Sequence, residues 1–597
     1  MCEESKANMS SDEGKNVCLK KIDWLYIAFG IIFVLISMLR FIQYDKSIMV
    51  WGDEFGYWSG AAYFLGIDWS EVVSTNKFYG VGYGLILAPV MKFFGYNAIL
   101  MKQVSVVIQG ILLSSCIFVC FYICRYYYKL KDSLICLAIS LISICYVSNI
   151  VYVNLTVVEV ILCVIVWWTG FFLVRYTISD KIINIFLMNI LCLYSYTVHS
   201  RGIGLIVVAI LIDFFLIFQR QSIKTVRKKF GIYLLVLILV FAAFHLTRLA
   251  RNDFITTLYS AAEHSSIEGN LETGKISKLA YVFTKNGFLS LWQNFFGNVY
   301  YLLAGTIGIF AFSVFSFCKE SILTINSKKI TDLYQFFVFL CFMVAFGICI
   351  VYWFGGDTRL NDRVDSLFYG RYYEYTLGPC IMIGMVYLTK QLWSKLKIQF
   401  ICVITTLLLL TIFCFHNISA NGNLSVIWYS CVAVARYFYQ YRGNNEAVTL
   451  LIGKLSVCII MLLLFLIKKL GSRLKIILIA LICIGVWEYN AGVLFEKYVY
   501  TEWASALMDS QIDISQKLDR HIDDVYIYEA KLGGVFQFLD VYKQVHMVES
   551  LDELKNLDQD TYLITNKSFE DINSVKKFYE GIYENEDYII WKKYAGK

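Results

Sequence analysis

From residue 24 to residue 493 the chain repeats one pattern, in which apolar runs alternate with short polar segments. Each run is about 18–25 residues long, roughly what a helix needs to cross ~30 Å of hydrocarbon. Backbone amides surrounded by lipid have to be satisfied within their own segment, so the runs are read as α-helices. Basic residues punctuate the pattern at Lys20-Lys21, Arg125/Lys129/Lys131, Arg175/Lys181, 220–229, Lys319/Lys328/Lys329, Lys390/Lys395/Lys397 and 468–475. Consecutive clusters lie about two runs apart, as expected if short basic loops stay in the cytoplasm. The pattern predicts about 13 transmembrane helices, with the N-terminus inside and the C-terminal tail outside. Lys20-Lys21 precede the first run with no small-residue cleavage site after it, which reads as a retained signal-anchor.

The segments that face outward on this scheme are 41–96, 149–156, the turn around Arg201, 247–288, 355–369 and 416–447. Within the first, the glycines, Pro89 and Lys92 of 79–96 fit a pair of amphipathic interfacial helices better than a span. After residue 500 the pattern changes. Strand-like runs at 525–528, 545–548 and 562–565 alternate with helix-like ones at 551–557 and 569–579, which suggests a small α/β domain. The expected organisation is a cytoplasmic tail over 1–21, an α-helical polytopic membrane domain over 22–496 with its first outer loop at 41–96, and an extracytoplasmic α/β domain over 497–597.

Composition agrees with a membrane protein: 58% of the residues are hydrophobic and 17% charged, with a mean hydropathy of +0.60. A soluble domain could not cover its core with so few charges. The net charge of +7 hides a division. From Tyr500 onward there are 11 Lys/Arg against 19 Asp/Glu, and before it 42 against 27. The acidic tail argues against a nucleic-acid partner, and the bases of the membrane part report topology. Most of the 18 cysteines sit inside apolar runs, as small packing residues do, and none shows zinc-type spacing with histidines. The two prolines, Pro89 and Pro379, both flank outward segments, where they fix backbone direction.

Four outward sites carry candidate chemistry. Trp51-Gly52-Asp53-Glu54 places two carboxylates just past the first span. Such a carboxylate can serve as a general base or hold a divalent cation, and it can equally be a solvated loop start. In Tyr369-Gly370-Arg371-Tyr372-Tyr373-Glu374, Arg371 and Glu374 would share a helix face and pair. Arg371 is also suited to gripping a phosphate, or simply to snorkelling at the interface. Glu159 lies a few residues into a span, where a carboxylate is costly unless it is shallow enough to stay wet. His199-Ser200-Arg201-Gly202 forms a tight outer turn whose cations could meet a phosphate or anchor in headgroups.

Together these features, in this order and on one side, resemble bacterial GT-C superfamily glycosyltransferases, relatives of protein O-mannosyltransferases and of the aminoarabinose transferase of lipid A. Tyr79-Gly80-Val81-Gly82-Tyr83 through Ala88-Pro89 and Phe93-Phe94-Gly95 are similar to that family's first outer loop. The resemblance covers about residues 22–390 and does not reach the tail. It implies a GT-C fold and a sugar donor on polyprenyl phosphate, presented at the outer face of the plasma membrane. It further implies transfer to a hydroxyl of a glycan or protein acceptor, with inversion. Carried over, Asp53 is the base, with Glu54 beside it. Arg371, Arg201 and His199 bind the donor phosphate, while Glu159, Tyr369, Tyr372 and Glu374 line the substrate site.

Other readings fit less well. Gly269-Asn270-Leu271-Glu272-Thr273-Gly274-Lys275-Ile276 approaches a P-loop, but Ile276 replaces the magnesium-binding hydroxyl and no strand precedes it. A transporter or flippase for a lipid-linked glycan remains the alternative; it would place ionisable groups near the midplane and often break its helices. A glycan polymerase or ligase would call for a larger outward loop than the one after His416.

Overall fold

The structure, a computed structural model, describes residues 19–74, 80–219, 223–258, 281–327, 332–353, 363–420, 425–441, 443–518, 522–528, 533–548, 550–557 and 561–594. The P-loop-like segment at 269–276 lies outside them. Among the described residues, seven helices are long and apolar enough to cross a membrane: Lys21–Tyr44, Ala98–Tyr127, Val158–Ser179, Leu333–Tyr352, Ser394–Ser419, Asn445–Phe465 and Arg473–Thr501. The pair Lys285–Gly305 and Ile309–Thr324 makes an eighth if counted as one span bent by 113°. At that bend Ile307 and Gly308 both take positive φ, and Trp487 Nε1 donates to the carbonyl of Gly305 at 2.9 Å. The released carbonyl is thereby satisfied inside the protein.

The expectation of about thirteen spans counted apolar runs, whereas the structure divides several of them. Ser133–Ile144, Ile182–Val198, Ile203–Gln219 and Leu377–Lys390 have 12, 17, 17 and 14 residues. At ~1.5 Å per residue, none reaches the full ~30 Å of hydrocarbon unaided. Leu377–Lys390 is apolar because it is buried within the bundle along nearly its whole length, whereas Ile182–Val198 and Ile203–Gln219 also expose apolar side chains such as Phe186, Ile190, Leu211 and Phe214.

Among the described residues of segment 79–96 there is one helix rather than a pair, Gly84–Phe94. Its partner is the preceding helix Trp51–Leu65. The two meet at glycines: a Cβ on Gly84 would lie 2.5 Å from the backbone of Gly60.

Past residue 496 the last spanning helix continues as a π-helical stretch, Leu494–Ala504, and then as Ser505–Lys517. The α/β tail therefore starts on a continuous helical support. Its sheet uses β1 (Asp524–Tyr528), β2 (Gln544–Val548), β3 (Tyr562–Asn566), β4 (Tyr579–Glu584) and β5 (Tyr588–Lys593), in the order β2-β1-β3-β5-β4. The first three are parallel and the last two antiparallel.

The tail is docked on the first outer segment. Helix Gly533–Leu539 lies against Trp51–Leu65, with Phe538 5.6 Å from Trp58 and Gly534 close against the Phe55 ring. Phe55 stacks on Trp69 at 5.3 Å, and Trp69 Nε1 donates to the Val541 carbonyl at 3.0 Å. An ionic latch completes the contact. His546 lies 2.7 Å from Glu71 through Nδ1 and 3.0 Å from Asp524 through Nε2. The hydrogen bond to Glu71, with help from Asp524, raises the imidazole from 6.5 to about 9. Its folded value lies above its unfolded one, so the latch contributes fully below pH 6.5 and is lost as pH rises through about 9. The thermal midpoint of the full chain should fall across that interval, and His546→Gln should flatten this dependence. An unchanged pH profile in His546→Gln would remove the latch from the account of tail docking.

Candidate active site

Four segments distant in sequence meet at one end of the bundle. Asp53 and Glu54 occupy the first turn of Trp51–Leu65. Successive helical residues project about 100° apart, and here the two carboxylates part company. Glu54 is fully buried. Its Oε1 accepts from the amides of Met49 and Val50 at 2.7 and 2.9 Å, satisfying donors at the helix start. Its Oε2 accepts from the Thr156 amide and hydroxyl at 2.8 and 2.6 Å and pairs with Lys102. Burial opposes the charge, yet Lys102 and these hydrogen bonds hold the carboxyl below its usual range. Glu54 was expected beside Asp53 in catalysis; its acceptor capacity is spent on structure instead. For the same reason the Asp-Glu pair does not converge as a chelate. Among the described residues no cluster of three or more His, Cys, Asp or Glu could hold a metal.

Lys102→Met should therefore destabilise the fold by about 3–5 kcal/mol, since it strands a buried carboxylate. The paired change Lys102→Met/Glu54→Gln should recover part of that loss. Chemical unfolding of both variants checks it; equal stability of Lys102→Met and the parent would contradict it.

Asp53 turns the other way and bonds Nη1 of Arg371. Arg371 sits in a short 3-10 turn, Gly370–Tyr372, and its Nε donates to Glu159 at 2.8 Å. Glu159, in the first turn of Val158–Ser179, also accepts from Arg201 Nη2 at 2.8 Å. The result is a chain of alternating charge, Asp53–Arg371–Glu159–Arg201. Side-chain exposures along it are 23%, 7%, 1% and 6%, so Asp53 is its solvent-facing member. Tyrosines pave it: Arg201 stands 4.4 Å over Tyr372 and Arg371 5.3 Å over Tyr429. Cation–π attraction helps hold both guanidinium groups over these rings. Tyr369 meets Tyr372 edge-on at 5.1 Å.

His199 accepts the Arg201 amide on Nδ1 at 3.1 Å, capping the turn that aims Arg201. The first outer segment clamps that turn: Gly82 N donates to Thr197 O at 2.8 Å, and Tyr194 Oη donates to Gly82 O at 2.9 Å. A Cβ on Gly82 would lie 2.1 Å from Thr197 Oγ1, so the approach requires glycine.

Glu374 departs from expectation. Its anticipated partner, Arg371, is taken by Asp53 and Glu159. Two 3-10 turns, Gly370–Tyr372 and Glu374–Thr376, replace the α-turn that would have aligned the pair. Glu374 is buried and accepts from the hydroxyls of Tyr152, at 2.7 Å, and Tyr301. Lys102, Thr156 and Tyr429 went unnoticed in the sequence. Lys102 left a signal, an ionisable residue inside an apolar run; Tyr429 left none.

No protein-family model matches the chain, and no curated protein matches it by sequence. Solved structures do. The crystal structure of ArnT from Cupriavidus metallidurans in the apo state superposes with a TM-score of 0.51 at 11% identity, over 95% of this chain and 97% of that one. ArnT bound to undecaprenyl phosphate gives 0.51 at 13% identity, over 97% and 99%. Arabinosyltransferase EmbB from Mycobacterium smegmatis matches more loosely, at 0.38 and 11% identity, over 81% and 41%. Coverage this wide takes in the tail, which the motif resemblance did not reach. From the first span through the terminal sheet, the chain shares the fold of the ArnT structures.

Proposed function

We propose that the chain is a membrane glycosyltransferase that moves a sugar from a polyprenyl-phosphate donor to an acceptor hydroxyl on the extracytoplasmic face, with inversion. One observation carries the reading: Arg371 is shared between Asp53, the exposed carboxylate, and Glu159, a buried one. A donor phosphate can take Arg371 Nη1, the nitrogen that Asp53 holds in its absence, because guanidinium–phosphate hydrogen bonds are charge-assisted. Glu159 and Arg201 keep Arg371 in place meanwhile. Asp53, released, accepts the proton of the acceptor hydroxyl as its oxygen attacks the anomeric carbon. The bond from that carbon to the phosphate oxygen breaks, and polyprenyl phosphate leaves as an anion stabilised by Arg371 and Arg201. His199 acts through the turn it caps. The fold shared with an ArnT structure bound to undecaprenyl phosphate supports the donor class.

The transporter reading has one observation in its favour. Asp213 is buried midway along Ile203–Gln219, where it accepts from Asn189 at 3.0 Å. The purified protein, reconstituted with a panel of polyprenyl-phosphate sugars and candidate acceptors, separates the two. Release of polyprenyl phosphate coupled to sugar transfer is the expected result. Movement of intact donor between leaflets, with no bond cleaved for any sugar, would favour the transporter.

A further inference from the structure

Helix Leu333–Trp353 connects two polar regions. Near its last turn Tyr352 packs 4.8 Å from Tyr372, at the site described above. Its first turn, about 30 Å away along the axis, opens on a separate cavity of about 410 Å³. The shorter helix Leu377–Lys390 runs the same way, starting beside Glu374 and ending at the cavity with Lys390. Tyr128, Ser316, Lys319, Asp332, Gln335 and Lys390 line it. The cavity thus lies at the end of the bundle opposite the reaction site.

Its hydrogen bonding is unbalanced in one direction. Asp332 Oδ1 is committed, accepting from the Tyr127 hydroxyl and the Gln335 amide at 2.9 Å each. Gln335 Oε1 accepts from Ser316 at 3.0 Å, which leaves its Nε2 buried without a partner among the described residues. The Tyr128 hydroxyl is buried with Asp332 as its hydrogen-bonding neighbour, and Gln335 as a whole is only 4% exposed. Lys390 rests 5.1 Å over the Tyr128 ring, and neither it nor Lys319 forms an ion pair with a described residue. Glu320 also lines the cavity beside Asp332, so two carboxylates stand with the two lysines, and Glu320 has a partner of its own. The unused capacity is therefore the Gln335 donor together with two lysines in no ion pair among the described residues, and a buried donor left unmade costs stability. Water could satisfy the orphaned donor, but it leaves both lysines without an ion-pair partner among the described residues. A phosphate, all acceptor and anionic, answers both needs.

We infer that this cavity is a binding site for a phosphate group, carried by a lipid headgroup or by a soluble phosphate ester. Nothing in the inference depends on glycosyl transfer. On the sidedness proposed above, the site faces the cytoplasm.

The test uses the full chain, delipidated in detergent, with binding read by native mass spectrometry. The probes are phosphatidylglycerol, diacylglycerol and inorganic phosphate. Phosphatidylglycerol should be retained and diacylglycerol should not. Lys319→Met/Lys390→Met should weaken retention at least ~10-fold, the scale of losing charge-assisted hydrogen bonds. Gln335→Glu, which turns the orphaned donor into an acceptor, should do the same. Inorganic phosphate should compete. If inorganic phosphate binds in a Lys319- and Lys390-dependent way while phosphatidylglycerol does not, the natural source is a soluble ester. Lys319 is exposed, so Lys319→Met alone decides the matter if the other variants fail to fold. Phosphate-bearing probes that bind parent and variants alike, or not at all, would overturn the site and leave a water-filled vestibule.

Discussion

Asp53→Asn should lower the rate of sugar transfer by ~10²–10⁴-fold, the usual worth of a positioned general base. Donor affinity should barely change, because in the proposed complex Asp53 addresses the acceptor. The substitution is mild structurally: an Asn carbonyl can still accept from Arg371 Nη1, so the charged chain through Glu159 to Arg201 stays closed. Single-turnover transfer and donor binding, measured on the same preparation, separate the two effects. An Asp53→Asn protein that keeps most of its activity would remove Asp53 as base. Glu54 is saturated by five contacts and Glu159 by two arginines. The base would then have to come from the acceptor or from an element outside this cluster.

Arg371→Ala is expected to fail in both respects. It removes the phosphate contact, a loss of about 10²–10³-fold if an oxyanion donor is a fair guide. It also removes the Arg371 ion pair of Asp53 and, among the described residues, leaves Glu159 paired with Arg201. Donor affinity and rate should therefore fall together, unlike in Asp53→Asn. Arg371→Lys adds a control: it keeps the charge but loses the planar fork that reaches Asp53 and Glu159 at once. Its donor affinity should be intermediate, and its rate should remain well below the parent's. Full donor affinity in Arg371→Ala would place the phosphate elsewhere, with Arg201 the next position to test. A melting curve for each variant guards against a loss that is only unfolding.

What a linear reading could recover depended on the range of the forces involved. The membrane class, the helical character of the runs and the presence of a terminal α/β domain follow from hydrophobic periodicity, which is local in sequence. So does the nomination of Asp53, Glu159, Arg201 and Arg371, since charges near lipid are expensive enough to need a reason. Their grouping on one side was legible from the alternation of basic loops. Which partner each would take was not. The Asp53–Arg371 contact spans 318 positions and the Glu159–Arg371 contact 212, and nothing in the local pattern chooses between Glu374 and Asp53 for Arg371. That choice falls to backbone geometry: 3-10 turns at 370–372 and 374–376 swing Glu374 into the hydroxyls of Tyr152 and Tyr301.

Glu54 shows the same division. In the sequence it is indistinguishable in kind from Asp53. One residue of helical rotation sends it into the protein, where only a long-range partner, Lys102, makes its burial tolerable. The docking of the tail on Phe55 and Trp58, two turns or less from Asp53, was hidden for a similar reason, because its apolar contacts are nondirectional and join residues more than 470 positions apart. The sequence by itself determined the solvent each segment prefers and the residues whose charge demands an explanation. Only the tertiary structure decided which charges neutralise one another, because burial raises the energy of every unpaired charge and packing settles which partner is within reach.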